Sequence, residues 1–446
     1  MSVTLRLFLG LWSALWTLGL PLILIYLYRR ARKDPAYGAH LAERFGRYPR
    51  PMPGAVWIHA VSLGELRSAV PLIRALLARG DRVVVTHFTP AGRGEAERVF
   101  APEIAAGRLQ AVWVPLETGW AYAGFFRAFR PVYGLVMEIE IWPRMIFAAR
   151  AAGVPLFMCN AQYPRASMAR DARGLRLRHQ VMRGFAGALV KSDLQAARFA
   201  GVGVGNIAVT GELRFDQPVP QALVAGGVAA RRWIGAPARV ITIASAVEGE
   251  DDTYLQAIHA LRAHHAARGL PLPLVVYVPR RPERFDAVAA TLRGAGLSVL
   301  RRSSLGAGFD PVGWGAAPAL PDVLLGDTLG EMYGYLAMAD LVVVGGGFTP
   351  HGAHNIIEPL ALGKPVLTGP ATGTIEYPFV EAEAAGVARS VPDAKGLEQA
   401  LIGGFEPDPA AITGFFTAHS GGAARTLDAL PGLMATISPS AGSAHR

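Results

Sequence analysis

An α/β protein of two Rossmann-like, doubly wound domains, entered through an apolar N-terminal helix, is the architecture that this sequence predicts. Three observations lead there. At 446 residues the chain exceeds one ordinary core. Short apolar runs alternate with helix-length segments along its length. Those runs, such as "RVVVTHF", "VPLFMCN", "PLVVYVP" and "LVVVGGG", are nearly continuous in Val, Ile and Leu. Strands buried on both faces read this way, and alternating β and α predicts a parallel sheet. Seven such runs precede "DQPVPQALVAGGVAARRW", a Pro/Gly/Ala stretch that reads as a linker, and five follow it. The expected organisation is therefore 1–33 as an anchor with a basic flank and 34–217 as a first domain. A second domain covers 218–430, and 431–446 forms a disordered tail.

The anchor rests on the charge-free run Leu7–Tyr28, long enough for the ~20 residues that cross a bilayer. Arg29, Arg30, Arg32 and Lys33 follow it, against Arg6 alone before it. That asymmetry would keep the rest of the chain on the cytoplasmic face. Trp12, Trp16, Tyr26 and Tyr28 are candidate interfacial anchors, while Pro21 and two glycines weaken the span, so a buried or interfacial helix stays open. The net charge of +10 implies an acidic partner. The arginines are scattered without a basic–aromatic block, which disfavours nucleic acid and leaves an anionic membrane surface or a phosphorylated substrate. The single cysteine, Cys159, excludes an intrachain disulfide and a multi-Cys zinc site.

In doubly wound sheets ligands bind beyond the C-terminal strand ends, so strand-end residues carry the chemistry. In "WIHAVSLGE" a strand ends at a Gly that would permit a tight turn, and Glu65 opens a helix. There it is either a carboxylate favoured by the helix dipole or a general base facing the cleft between the domains. In "VMEIEIWPR" strand alternation would set Glu138 and Glu140 on one face. Two like charges there call for a ligand or for cation partners. "GELRFDQP" sets Arg214 at the hinge, as surface solvation or as a substrate-charge contact. "YVPRRPERF" places Pro279 and Arg280 directly after a strand, suited to a phosphate or carboxylate unless Arg salt-bridges to Glu283.

Two further stretches work as a pair. "GDTLGEM" offers Gly330 and Glu331 at a helix start, open to phosphate. In "GGGFTPHGAHNIIEPLALGKPVL", three glycines would let backbone approach a ligand. Asn355 to Glu358 then precede a helix, with Glu358 placed for ribose hydroxyls. No P-loop, dinucleotide fingerprint or Asp-x-Asp metal site is present in the sequence. His87, His351 and His354 stand isolated, as structural or cleft histidines rather than metal ligands.

These motifs, in this order, resemble those of the 3-deoxy-D-manno-octulosonic acid (Kdo) transferases. The likeness runs from the N-terminal helix to about residue 425 through "RFGRYPRP", "WIHAVSLGE", "MEIEIWP", "GELRFD", "VPRRPERF" and the paired glycine-rich segments. The resemblance implies a GT-B-type glycosyltransferase that moves Kdo from CMP-Kdo to lipid A precursor, in lipopolysaccharide inner-core synthesis. It implies inversion at the anomeric carbon without a metal or other cofactor. Glu65 corresponds to the family's catalytic base, and Glu138 and Arg214 to its transition-state-stabilising groups. Pro279 and Arg280, Leu329, Gly330 and Glu331, and Asn355, Ile356, Ile357 and Glu358 correspond to its CMP-contacting segments. The expected location is the inner membrane, with anionic lipid as a further partner. Four departures stand out: Arg214 for Lys, Ile356-Ile357 for Pro-Leu, "NAQYPRAS" for an Arg-rich segment and "SAVEGED" for a Thr-His-containing one. The alternatives are another nucleotide-sugar transferase or an epimerase on the same fold, or a non-catalytic membrane lipid-binding scaffold.

Overall fold

The computed structural model describes residues 2–235 and 239–437. Two compact units divide the chain: one runs to Gln217 and resumes at Ser420, and the other is Pro218–His419. The first is built on β1 (Val56–His59), β2 (Val83–His87), β3 (Leu109–Trp113), β4 (Gly134–Met137), β5 (Leu156–Ala161), β6 (Gly187–Val190) and β7 (Ile207–Val209). Their order is β3-β2-β1-β4-β5-β6-β7, and every pairing is parallel. The second unit carries β8 (Val240–Ala246), β9 (Leu274–Pro279), β10 (Val299–Arg301), β11 (Val323–Leu325), β12 (Leu341–Val344), β13 (Val366–Thr368) and β14 (Ala388–Ser390). Its order, β10-β11-β9-β8-β12-β13-β14, is likewise all parallel. Strand order therefore reverses between β1 and β4 in one sheet and between β8 and β12 in the other, which is where such sheets take ligands.

The central strands are buried along their whole length, as in Val83–His87 and Leu341–Val344. Hydrophobic clusters lie on both sides of each sheet. The edge strands β10 and β14 are short and only partly buried, and their sequences carry no apolar run that would announce them.

Several expectations change. Most of the stretch read as a linker is the helix Gln221–Trp233, with Gly227 packed so closely on Gly334 that a Cβ would lie 2.2 Å from its carbonyl oxygen. The second domain does not extend to 430. The helix Gly422–Ala435 belongs to the first unit, where Asp216 receives the Ala423 N–H at 2.6 Å. Of the expected tail 431–446, the part up to Ala435 is helical, and 438–446 lies outside the described residues.

The N-terminal apolar run is two helices, Val3–Leu18 and Leu20–Ala31, bent by 54° at Gly19. Pro21, without an N–H, starts the second helix and cannot continue the first. Among the described residues no single helix is long and apolar enough to cross a membrane, although the bent pair passes that test together. The first helix packs Leu5 and Leu9 into the core of the unit and leaves Leu7, Leu11, Leu15 and Leu18 exposed.

Candidate active site

In the first unit β1 hands over to the helix Leu63–Ala78 through Ser62, whose extended backbone and side chain form the N-cap. The Ser62 hydroxyl accepts the Glu65 N–H at 3.4 Å and donates to Glu65 Oε1 at 2.9 Å. Glu65 Oε2 accepts the Val61 N–H at 2.8 Å. Both readings of "SLGE" therefore meet in one side chain, since Glu65 closes a variant capping box and is only 8% exposed. Gly64 differs from expectation: it is an ordinary helical residue, and an added Cβ would meet only Ser62 Oγ at 4.0 Å. The helix also contains Pro71, which cannot bond to the carbonyl of Arg67. Gln217 takes over that carbonyl with a 2.9 Å hydrogen bond and ties the end of the unit to this helix.

Burial raises the Glu65 carboxyl to about 7, against the opposing hydrogen bond from Val61. Glu140 and Glu138 add like charge in the same direction, and the Ser62 bond again opposes. The dipole argument, which favours an ionised group, is thus outweighed by desolvation.

Glu138 does not continue the strand. β4 ends at Met137, and Glu138 takes the left-handed conformation, φ 58°. This breaks the expected alternation, and the two carboxylates take different partners. Glu138 Oε1 meets Arg214 Nη2 at 3.3 Å, and Glu140 Oε2 accepts the Trp142 indole N–H at 2.6 Å. Arg214 Nε also donates to Ser68 Oγ at 2.7 Å, one helical turn beyond Glu65. The structure thus gathers Glu65, Ser68, Glu138, Glu140 and Arg214 in the first unit, around the switch between β1 and β4. Motif reading missed Ser68, although its i+3 spacing from Glu65 places it on the same helical face.

Arg214 stands on a prepared base. Glu212 is 2% exposed and pairs with Lys191 at 2.5 Å. It also accepts from Asn160 Nδ2 at 2.8 Å and from the Arg214 N–H at 3.3 Å. Asn160 Oδ1 accepts the Leu213 N–H at 3.0 Å. Lys191, Arg214 and these hydrogen bonds hold the Glu212 carboxyl below its usual range despite burial. The divergent "NAQYPRAS" segment therefore begins with a residue that props the Arg214 turn from beneath.

In the second unit Pro279 is the last residue of β9, and Arg280 is exposed, its N–H bonded to Ala246 O at 2.9 Å. Burial, with the charge of Arg280 nearby, depresses His354 to about 4. Arg284, not Arg280, is the arginine of this motif that is pinned, to Asp251 and to Ala246 O. Leu329 is 73% exposed and Gly330 has φ 81°. Glu331 is bonded to Arg302 at 2.9 Å and to the Tyr335 hydroxyl at 3.2 Å. Asn355 Oδ1 accepts the Ile357 N–H at 2.9 Å and starts the helix Ile357–Ala361. Ile356 and Ile357 are core residues, 0% and 5% exposed, so only their backbone can face a ligand. Glu358 is half-buried, and its charge helps burial raise the Tyr333 hydroxyl.

The three glycines are required by packing. A Cβ on Gly345, Gly346 or Gly347 would lie 2.5, 2.3 or 2.5 Å from backbone or side-chain atoms of Ser245, Gly352 or Gly369 and Thr368. Beneath them is a residue that motif reading passed over: Glu250 of "SAVEGED" is fully buried. It accepts the N–H groups of Gly346 at 2.8 Å, Phe348 at 3.1 Å and Val247 at 3.0 Å. It ties the loop after β8 to the loop after β12 across the switch point of this sheet.

Among the described residues no group of His, Cys, Asp and Glu is arranged to hold a metal ion.

Residues 39–217 match the family model of "3-Deoxy-D-manno-octulosonic-acid transferase (kdotransferase)". A 3-deoxy-D-manno-octulosonic acid transferase of Bordetella pertussis is 42% identical, covering 92% of this chain and 96% of that protein. One from Haemophilus influenzae is 30% identical, covering 85% and 87%. The crystal structure of a UDP-GlcNAc 2-epimerase from Neisseria meningitidis is similar in fold, with a TM-score of 0.52 and 13% identity. The match spans 85% of this chain and 100% of that one.

Proposed function

The chain belongs to the 3-deoxy-D-manno-octulosonic acid transferase family, a glycosyltransferase of lipopolysaccharide biosynthesis, and from that premise we propose how its side chains divide the reaction. Glu65 is the general base, the donor is CMP-Kdo, and the acceptor is a hydroxyl of lipid A precursor. The observation that carries this is the state of Glu65: a buried carboxyl raised to about 7 and held by two hydrogen bonds at a strand end. A base poised near the working pH combines a useful ionised fraction with the basicity to take a hydroxyl proton.

The acceptor oxygen attacks the anomeric carbon from the face opposite the nucleotide, so configuration inverts as the bond to CMP breaks and Glu65 receives the proton. Arg214 and Glu138 form the charged pair beside that centre, and Arg214 offers its positive charge to the anionic sugar in the transition state. Arg280, with backbone amides from Leu329 to Glu331 and from Asn355 to Glu358, meets the CMP portion. CMP is already a stable leaving anion, so the reading requires neither a general acid nor a metal cofactor. The bent apolar helix pair with its Arg29–Lys33 flank supports a seat at the inner membrane, next to anionic lipid.

The test is mass spectrometry of the lipid products from CMP-Kdo and a tetra-acyl lipid A precursor. Wild-type protein should add Kdo, and Glu65→Ala should release no CMP while still binding it. Turnover of that variant within about tenfold of wild type would reduce Glu65 to a helix cap.

A further inference from the structure

An apolar cavity adjoins the carboxylates in the first unit. It encloses about 510 Å³ and is lined by Phe8, Trp12, Trp16, Ile141, Trp142 and Val181, among others. Phe8, Trp12 and Trp16 recur every fourth residue and so share one face of the helix Val3–Leu18. Their rings form a ladder with centroids 5.8 and 6.4 Å apart. Tryptophans expected as interfacial anchors thus turn inward onto a cavity, while leucines occupy the outer face.

We propose that this cavity is an acyl-chain subsite, which takes one fatty chain of the acceptor while the acceptor sugar lies at Glu65. The proposal rests on the lipid acceptor read above. Two observations select an alkyl chain over a sugar or nucleotide. First, the charged groups of the lining are one saturated carboxylate and one ion-paired arginine, and among the described residues no convergent set of polar groups faces the cavity. Glu117 accepts from Trp12 Nε1 at 3.0 Å, the Arg144 N–H at 2.8 Å, the Met145 N–H at 3.0 Å and the Tyr122 hydroxyl at 3.2 Å. Arg178 is paired with Asp171 at 3.0 Å. Sugar sites need convergent polar groups with capacity to spare, and an apolar chain needs none. Second, one wall residue links the cavity to the carboxylates. Trp142 forms part of its wall and donates its indole N–H to Glu140 at 2.6 Å. The charge of Glu140 is felt at Glu65. A chain seated on one edge of Trp142 therefore hangs from a head group beside the carboxylates.

The helix ladder is then a specificity element. It supplies large, flat apolar surface at little cost in side-chain freedom, and Trp12, tied to Glu117, fixes the position of the helix against the unit.

Two measurements test this. Leu177, half-buried in the lining, is replaced by Trp to fill the cavity. Kinetics are then compared for an acylated acceptor and for the same phosphorylated disaccharide stripped of its chains. Loss of about two methylenes of burial should raise KM for the acylated acceptor about tenfold or more. The stripped acceptor should be unaffected. Equal losses on both acceptors, or no loss on either, would overturn the proposal. The second measurement uses the wild-type protein and no turnover. A long-chain fatty acid bearing a terminal diazirine is photocrosslinked and the adducts are mapped. Adducts on Phe8, Trp16 or Val181 are expected, and adducts confined to the outward Leu7, Leu11 and Leu18 overturn the subsite. Failure of Glu65 as base would show separately, as activity of Glu65→Ala on either acceptor.

Discussion

Replacing Glu65 by Gln should abolish transfer and, at alkaline pH, stabilise the fold. With the carboxyl at about 7 rather than the ordinary 4.5, ionising it in the folded state costs about 3 kcal/mol, at ~1.36 kcal/mol per pH unit. The cause is burial first, with Glu140 and Glu138 adding to it. The sign follows from the raised value. Below the unfolded value the group is protonated in both states and has no effect. As pH rises from 4.5 toward about 7 the unfolded chain ionises and the folded one resists, so stability is lost across that window and the loss is complete above it. A glutamine never ionises, but its amide gives up one of the two accepted hydrogen bonds, worth ~1–3 kcal/mol.

The variant should therefore be no more stable than wild type near pH 4.5, and should gain relative to it by about 3 kcal/mol by pH 8. In a unit of this size that is a relative shift of several degrees in thermal midpoint. In the wild-type enzyme kcat/KM should climb through the same window. About a tenth of the molecules would be ionised at pH 6, about half at pH 7 and about nine-tenths at pH 8. Calorimetry at both pH values and a pH–rate profile are the assays. A flat profile from pH 6 to 8, together with midpoints that track each other at both pH values, would refute the burial argument.

Removing the neighbouring charge with Glu140→Gln should move the acidic limb of that profile to lower pH while activity survives. An unmoved limb would show that Glu140 is not electrostatically coupled to the base. Arg214→Ala should lower kcat by about a hundredfold. It should change stability by less than ~1 kcal/mol, because its ion pair with Glu138 is a third exposed. A large fall in thermal midpoint would make Arg214 structural instead. Lys191→Ala strands the buried Glu212 and should cost about 3–5 kcal/mol by denaturant unfolding. Glu250→Gln should raise KM for CMP-Kdo while leaving KM for the acceptor unchanged, since it loosens only the loops after β8 and β12. Equal effects on both constants would argue against that role.

The strands were legible because strands buried on both faces must be apolar throughout, a pattern that survives without partners. All twelve apolar runs read from the sequence coincide with strands, whereas β10 and β14 escaped because each is a three-residue, partly buried edge strand carrying an arginine. The site was legible where chemistry is local. "SLGE" announces both a cap and a carboxylate, and the structure shows the two in one side chain. It was illegible where the partner is distant in sequence. Arg214 reaches Ser68 across 146 positions, and Glu250 reaches Gly346 across 96. No spacing rule connects such pairs.

The same limit hid what crowds the glycine-rich run. Three glycines with positive or crowded backbone look alike whether they make way for phosphate or for another backbone, and here Ser245, Gly352 and Gly369 occupy the space. What those glycines achieve is indirect. By letting two loops close to contact, they bring the Gly346 and Phe348 N–H groups within reach of one carboxylate, Glu250, with no cation among its hydrogen-bond partners. A buried carboxylate satisfied by backbone amides rather than by a cation fixes loop geometry without placing positive charge near the strand ends. Arg280 and Arg281 both stay exposed after β9, and the charge of Arg280 adds to the burial that depresses His354.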